Sequence, residues 1–388
     1  MNDVATFALE PLPPAMKRMR LVHVVGARPN FMKAAPLIRA LAIDGEVHQT
    51  LVHTGQHYDD TMSDAFFRQL NMPIPDVNLG VGSGSHARQT ADVMVGLERH
   101  LTDQPCDVVV VYGDVNSTLA ASLVAAKLGV RLAHVEAGLR SGDRTMPEEI
   151  NRIVTDRLAD TLFTPSDDAV ENLQREGVAP ETIFNVGNIM IDSVVSLLPS
   201  ADSVAARARA GIGASADFVL LTLHRPSNVD DPKQLAGLSS VLRDIANRST
   251  VVFPVHPRTR ARLSDSGVDL SGITLCEPLG YLEFLALEQQ ARLVITDSGG
   301  VQEETTFLGV QCLTVRDSTE RPVTVTLGTN RLVGTSPERL LIEANRVLDG
   351  DAKRGVIPPR WDGKTAERIV DVFRLLAERG LHPASSRR

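Results

Sequence analysis

Cysteine is scarce: Cys106, Cys276 and Cys312 are the only three in 388 residues. They are odd in number, far apart and set in or beside apolar runs, with no CxxC pair, so no disulfide framework is expected and a reducing cytoplasm is favoured. Aromatic residues make up 4% of a chain that is 43% hydrophobic, the balance of an aliphatic α/β protein. A basic surplus is missing too. The formal charge of -8 supplies no positive field for nucleic acid, so an anionic ligand has to be met locally, by a few arginines and helix ends. No stretch approaches the roughly 20 apolar residues of a membrane span. The opening MNDVATFALEPLPPAMKRMR has no apolar h-region and reads as a frayed extension, not a signal peptide.

What is present is a repeated alternation. A chain of 388 residues exceeds one ordinary core, which predicts two domains. LVHVVG, HQTLVHTG, VVVVYGD, LAHVEAG, TLFTPS and TIFNVGN are short apolar runs, most of them followed by segments with helical periodicity; FVLLTLHR, VVFPVHPR, ITLCEP, LVITDSGG and QCLTVRD repeat the scheme. The predicted fold is α/β, two Rossmann-like doubly wound domains with the site in the cleft between them. The weakly apolar SADSVAARARAGIG follows the boundary, giving domains at 1–189 and 190–364. The closing helix, 365–388, has no strand after it and is available to pack back on either domain.

In parallel open sheets, ligands bind at the carboxyl ends of the strands. The stretch from Val108 to Pro165 presents Asp114 and Glu136 at two such ends and Glu148 at a helix start, so the three carboxylates are expected to share one crevice. Each has a plainer explanation: Asp114 as a cap for the following helix, Glu148 as a first-turn acid favoured by the helix dipole. The GARPNFMK turn sets Arg28 and Lys33 at the mouth of the first strand, where a guanidinium suits a phosphate and Pro29 holds the turn in shape. In VITDSGGVQEETTFLG an apolar strand ends at Thr296 and a helix begins near Gly300, so the amides of Ser298, Gly299 and Gly300 face whatever lies above the strand. A diphosphate fits there, with Glu304 one turn on, in reach of ribose hydroxyls. A helix cap by Ser298 is the alternative. His224 and Arg225 end a strand of the second half, as do His256 and Arg258; His256 is read as structural.

Other chemistries lack their signatures. His53 and His57 span a turn instead of a helix, and His134 and Glu136 have no CxxC partner, so no metal is expected. GVGSGS at Gly80 to Ser85 is not GxGxxG and has no acidic partner a strand later; it reads as a mobile loop at the cleft. None of Tyr58, Tyr112 and Tyr281 has a lysine four residues on. No nicotinamide or other cofactor is expected.

With these motifs in place, the chain resembles the non-hydrolysing UDP-N-acetylglucosamine 2-epimerases. GARPNFMK, HTGQHYD, YGDVNSTLA, HVEAGLRSGD, MPEEINR, NVGN, LHRPSN, VHPR, EPLGYLEF, TDSGGVQEE and RDSTERP carry the likeness in family order, from about Leu21 to Gly334. The resemblance implies the two-domain fold of GT-B glycosyltransferases, a UDP-sugar substrate held largely by the second domain, and a homodimer. It implies catalytic roles for Asp114, Glu136, Glu148 and His224, and binding roles for Arg28, Lys33, Ser298, Gly299, Gly300 and Glu304. It also implies epimerisation at C2 by elimination of UDP to 2-acetamidoglucal and re-addition, in service of surface polysaccharide synthesis. Related UDP-2-acetamido sugars, hydrolysis of the same nucleotide sugar, and glycosyl transfer are the alternatives. Many bacterial members carry an activating substrate site; here QHYDD keeps Gln56 and His57 but has Asp59 where that site uses glutamine, so simple saturation is expected.

Overall fold

Runs such as VVVVY can form strands only where both faces are covered, because every side chain is apolar and none is assigned to solvent. The computed structural model describes residues 19–43, 47–55, 67, 69–255 and 257–379, and in it these runs build two sheets, parallel throughout. The first has seven strands: β1 Arg20–Val25, β2 His48–His53, β3 Val77–Asn78, β4 Val108–Tyr112, β5 Arg131–Val135, β6 Thr161–Thr164 and β7 Ile183–Asn185, in the order β3-β2-β1-β4-β5-β6-β7. The second has six: β8 Phe218–Thr222, β9 Thr250–Pro254, β10 Ile273–Cys276, β11 Leu293–Thr296, β12 Cys312–Thr314 and β13 Asn330–Leu332, in the order β10-β9-β8-β11-β12-β13. β3 and β13 are absent from the sequence reading; two and three residues are too few to display a period.

The two orders share one feature that positions the site. In each sheet the chain winds outward in one direction and then crosses back to wind in the other. The reversal lies between β1 and β4, paired Leu21↔Val108 to Val24↔Val111, and between β8 and β11, paired Leu293↔Val219 to Thr296↔Thr222. Where neighbouring connections leave in opposite directions, a crevice opens beyond the strand ends. The GARPN turn, Asp114, His224 and Ser298 all follow strands that border these two reversals.

The last helix, Thr365–Glu378, returns to the first sheet. Ile369, Val370, Phe373 and Ala377 join the core formed by Leu21, Val25, Phe31 and Phe163, and the Phe373 ring meets Phe163 edge-on at 5.6 Å. Its first amides, at Thr365 and Ala366, donate to the buried Asp192 carboxylate at 3.1 and 2.7 Å, which satisfies donors every helix start leaves open. Trp361 is buried just before it and donates to the Pro165 carbonyl at 2.9 Å. All three cysteines are buried free thiols. Among the described residues no single helix is long and apolar enough to cross a membrane. The opening extension, the QHYDD segment with Gln56, His57 and Asp59, and His256 lie outside the described residues, as does the side chain of Arg258.

Candidate active site

A cleft of about 420 Å³ lies beyond the strand ends and takes its walls from both sheets. From the first sheet come Arg28, Lys33, Asp114, Glu148 and Arg152; from the second come Arg225, Tyr281, Ser298, Gly299, Gly300, Glu303, Glu304, Glu320 and Arg321. Local sequence sets each of these. Gly26 ends β1 with no room for a Cβ beside Ser117 and Thr54, and Asn30 ties the turn by accepting from the amides of Gly26 (3.0 Å) and Ala27 (3.3 Å). The helix Arg28–Ala42 then starts at Arg28, which is exposed on the cleft, and its next turn sends Lys33 into the interior.

Lys33 is buried and ion-paired with Glu136. Glu136 follows β5 with φ of 75°, a left-handed conformation that costs a non-glycine residue about 1–3 kcal/mol and survives only where the surroundings impose it. Its other oxygen accepts from the Arg321 guanidinium at 3.0 Å. Glu136 therefore stands behind the wall, reached through Lys33 and Arg321, and is not among the residues lining the cleft. Asp114 does line it. The helix after β4 starts from Val115 and takes no side-chain cap, so Asp114 is free of that duty and instead accepts from Arg152 at 2.5 Å. Burial pushes the Asp114 carboxyl up, but Arg152, Lys33 and Arg321 outweigh it and hold the group below the usual carboxylate range. Glu148 and Glu149 open the helix Pro147–Leu158; Glu148 faces the cleft. Glu149 turns inward to pair with Arg152 and to accept from the amides of Ser141 (3.0 Å) and Gly142 (2.9 Å).

Across the cleft, β11 ends at Thr296 and the helix Gly299–Leu308 begins with Ser298 making no side-chain cap. Gly299 admits no Cβ, because Arg321 and Glu320 press against it. Arg321 is the centre of this wall: buried, it is ion-paired with Glu320, with Glu303 at 2.9 Å and with Glu136 from the opposite sheet. Arg316 holds the other side of Glu320 at 2.7 Å. Burial pushes the Glu303 carboxyl up to about 7 despite the pull of Arg321. Arg28, Lys33, Arg152, Arg225 and Arg321 place five cations in the lining, which suits a ligand bearing two phosphates.

His224 is the expected residue that the structure leaves farthest out. It is 57% exposed at the end of β8 and does not line the cleft, and its Nδ1 is fixed by the buried Asp297 at 2.8 Å. Asp297 also accepts from the amides of His224 (3.0 Å) and Arg225 (2.9 Å) and from Asn228 (3.0 Å), so the carboxylate that holds the ring is itself fixed. The glycine-serine loop before Ser85 does not reach the cleft lining either; its Gly80 and Gly82 have positive φ, and Ser85 caps the helix His86–Asp103. His134 pairs with Asp156 at 2.6 Å and with the Gly113 carbonyl, and His53 packs on Phe31 and Phe67. Among the described residues no three metal-ligating side chains gather. Arg152, Asp297, Glu303, Glu320 and Arg321 escaped the sequence reading, although all five lie inside motifs it quotes.

Two doubly wound Rossmann-like sheets with helices on their faces, joined across a cleft that sets carboxylates opposite a glycine-rich helix start, define a GT-B-like nucleotide-sugar protein. The family model described as UDP-N-acetylglucosamine 2-epimerase matches residues 39–374. A UDP-N-acetylglucosamine 2-epimerase of Methanocaldococcus jannaschii is 43% identical over 92% of this chain and 99% of its own. The crystal structure of that archaeal enzyme with UDP-GlcNAc and UDP superposes with a TM-score of 0.84, covering 92% of this chain and 100% of the other. A UDP-2,3-diacetamido-2,3-dideoxy-D-glucuronate 2-epimerase of Pseudomonas aeruginosa is 44% identical over 91% of this chain and 99% of its own. The chain belongs to the UDP-N-acetylglucosamine 2-epimerase family.

Proposed function

We propose that this protein reversibly epimerises UDP-N-acetylglucosamine at C2, giving UDP-N-acetylmannosamine. The observation that carries the reading is the facing of Asp114 and Glu148 on one wall with the Gly299–Gly300 helix start on the other, inside one cleft. The C2 proton is not adjacent to a carbonyl, so its direct removal would leave an unstabilised carbanion. Elimination avoids this. A carboxylate takes the proton from C2, the C–H electrons form the C1=C2 bond, and the C1–O bond breaks with its electrons leaving on UDP. UDP oxygen then attacks C1 while a proton is delivered to the other face of C2.

The residue roles follow. Asp114, Glu136 and Glu148 form the proton-handling set, with Asp114 and Glu148 exposed to the sugar and Glu136 acting through Lys33. Arg28, His224 and the amides of Ser298, Gly299 and Gly300 take the charge that grows on the diphosphate, and Glu304 takes the ribose hydroxyls. The chain divides into domains at 1–189 and 190–364, which close on the eliminated pair and keep water away. It works as a cytoplasmic homodimer.

Turnover in deuterated water tests the route: recovered nucleotide sugar is expected to carry deuterium at C2 in both epimers. Product at equilibrium that retains its original proton would overturn elimination. A second reading has a specific observation behind it, since the Pseudomonas relative named for a diacetamido uronate is as similar as the archaeal one. Assay against a panel of UDP-2-acetamido sugars separates the two: preference for a uronate would move the substrate and leave the mechanism.

A further inference from the structure

Glu288 is wholly buried on the helix Tyr281–Gln290, and among the described residues neither of its carboxyl oxygens meets an N–H or O–H donor. Carboxylates in that situation are rare, because an unpaired buried charge is expensive. Its hydrogen-bonding neighbour is another carboxyl, that of Glu304, which is also buried but lines the cleft. Glu304 has its own donor on the other side, the Tyr281 hydroxyl at 2.8 Å. Two carboxyls in contact, with only acceptor oxygens between them, hold together if one keeps its proton and donates it to the other.

We propose that Glu288 is a positioning residue for nucleotide binding: it stays protonated, donates to Glu304, and so keeps Glu304 an oriented carboxylate for the ligand's vicinal hydroxyls. This rests on the reading of Glu304 as the ribose-binding group. The titratable groups around Glu288 favour that order of protonation. Glu304 on the helix Gly299–Leu308, and burial above all, push the Glu288 carboxyl well up, while Tyr281 on its own helix and Cys312 on β12 face it with no positive charge. Burial pushes the Glu304 carboxyl up as well, but donation from Tyr281 and from Glu288 pulls it back. The Glu288 side chain thus reaches the ligand only through its neighbour.

The test compares UDP binding and epimerase kinetics in Glu288→Gln, Glu288→Leu and Glu304→Ala. Glutamine retains a donor, so Glu288→Gln is expected to bind UDP within about twofold of the wild type. Leucine removes the donor; KM and the UDP dissociation constant rise about tenfold with kcat nearly unchanged, the effect of one charge-assisted hydrogen bond. Glu304, left with Tyr281 alone, then keeps its proton to higher pH, so the rise of UDP affinity with pH is expected to lie at higher pH in Glu288→Leu than in the wild type and in Glu288→Gln. That pH response is one a simple packing defect does not produce. Equal loss of binding in the glutamine and leucine variants would overturn proton donation, as would unchanged binding in both. If Glu288→Leu does not fold, Glu288→Ala takes its place with the same expected loss of affinity and the same pH shift, and unchanged binding there overturns the proposal. Unchanged UDP binding in Glu304→Ala would instead overturn the ribose assignment.

Discussion

Asp114→Asn is expected to lower kcat by about 10²–10⁴ in both directions while leaving UDP affinity within about twofold. The substitution is nearly isosteric. The introduced amide would still offer an oxygen to Arg152, and Arg152 keeps its pairing with the buried Glu149, so the local fold is retained. What is lost is a group that can accept a proton. Asp114 lines the cleft and is held ionised by Arg152, Lys33 and Arg321 even at mildly acid pH, which is the state required of a base. The diphosphate groups across the cleft are untouched, which is why binding and turnover separate. Initial rates from each epimer together with calorimetric UDP titration measure the two effects. A kcat within a few fold of the wild type would remove Asp114 from proton transfer, and a parallel loss of UDP affinity would make it a binding residue.

Much of this site was legible before the fold was known, for a topological reason. Apolar runs alternating with helical periods specify parallel sheets, and parallel sheets put their functional loops at carboxyl ends. Arg28, Asp114 and Ser298 each follow such a run closely, so their common location could be read from spacing. The residues that escaped are of another kind. Arg152, Glu303, Glu320 and Arg321 are charged side chains in helices or loops, and in a sequence such residues read as solvated surface. Only tertiary contact reveals them as buried and mutually paired. His224 illustrates the converse error, since a strand-end position reveals neither exposure nor the carboxylate that aims the ring. The plainer readings of Asp114 and Ser298 as helix caps are not met: neither helix takes a side-chain cap, and Asp114 pairs with Arg152 instead.

Replacing Arg321 should have the largest effect on the fold. Arg321→Met is expected to destabilise the protein by about 3–5 kcal/mol in urea unfolding, the usual cost of removing one partner from a buried ion cluster. Three carboxylates lose their common cation at once: Glu320 and Glu303 from the second sheet's side and Glu136 from the first. The pH dependence identifies the cause. Glu320 is held well below its ordinary value, after burial, by Arg321, Arg316 and Arg152, so in the wild type its contribution to stability is fully present above the unfolded carboxylate range and disappears as pH falls through the lower folded value. Glu303 runs the opposite way. Its folded value is raised to about 7, so between the unfolded carboxylate range and about pH 7 it makes the fold less stable as pH rises. Without Arg321 the first contribution shrinks and the second penalty grows, so Arg321→Met should gain stability on acidification from pH 8 to 6 relative to the wild type. Glu320→Gln added to Arg321→Met removes one uncompensated charge and should restore part of the loss. Lysine at the same position should restore little, because one ammonium cannot span partners that the guanidinium meets through Nε, Nη1 and Nη2 separately. A variant as stable as the wild type at pH 8 would mean that the three carboxylates are neutralised by protons or other cations. Arg321 would then lose its place as the tie between the two walls of the cleft.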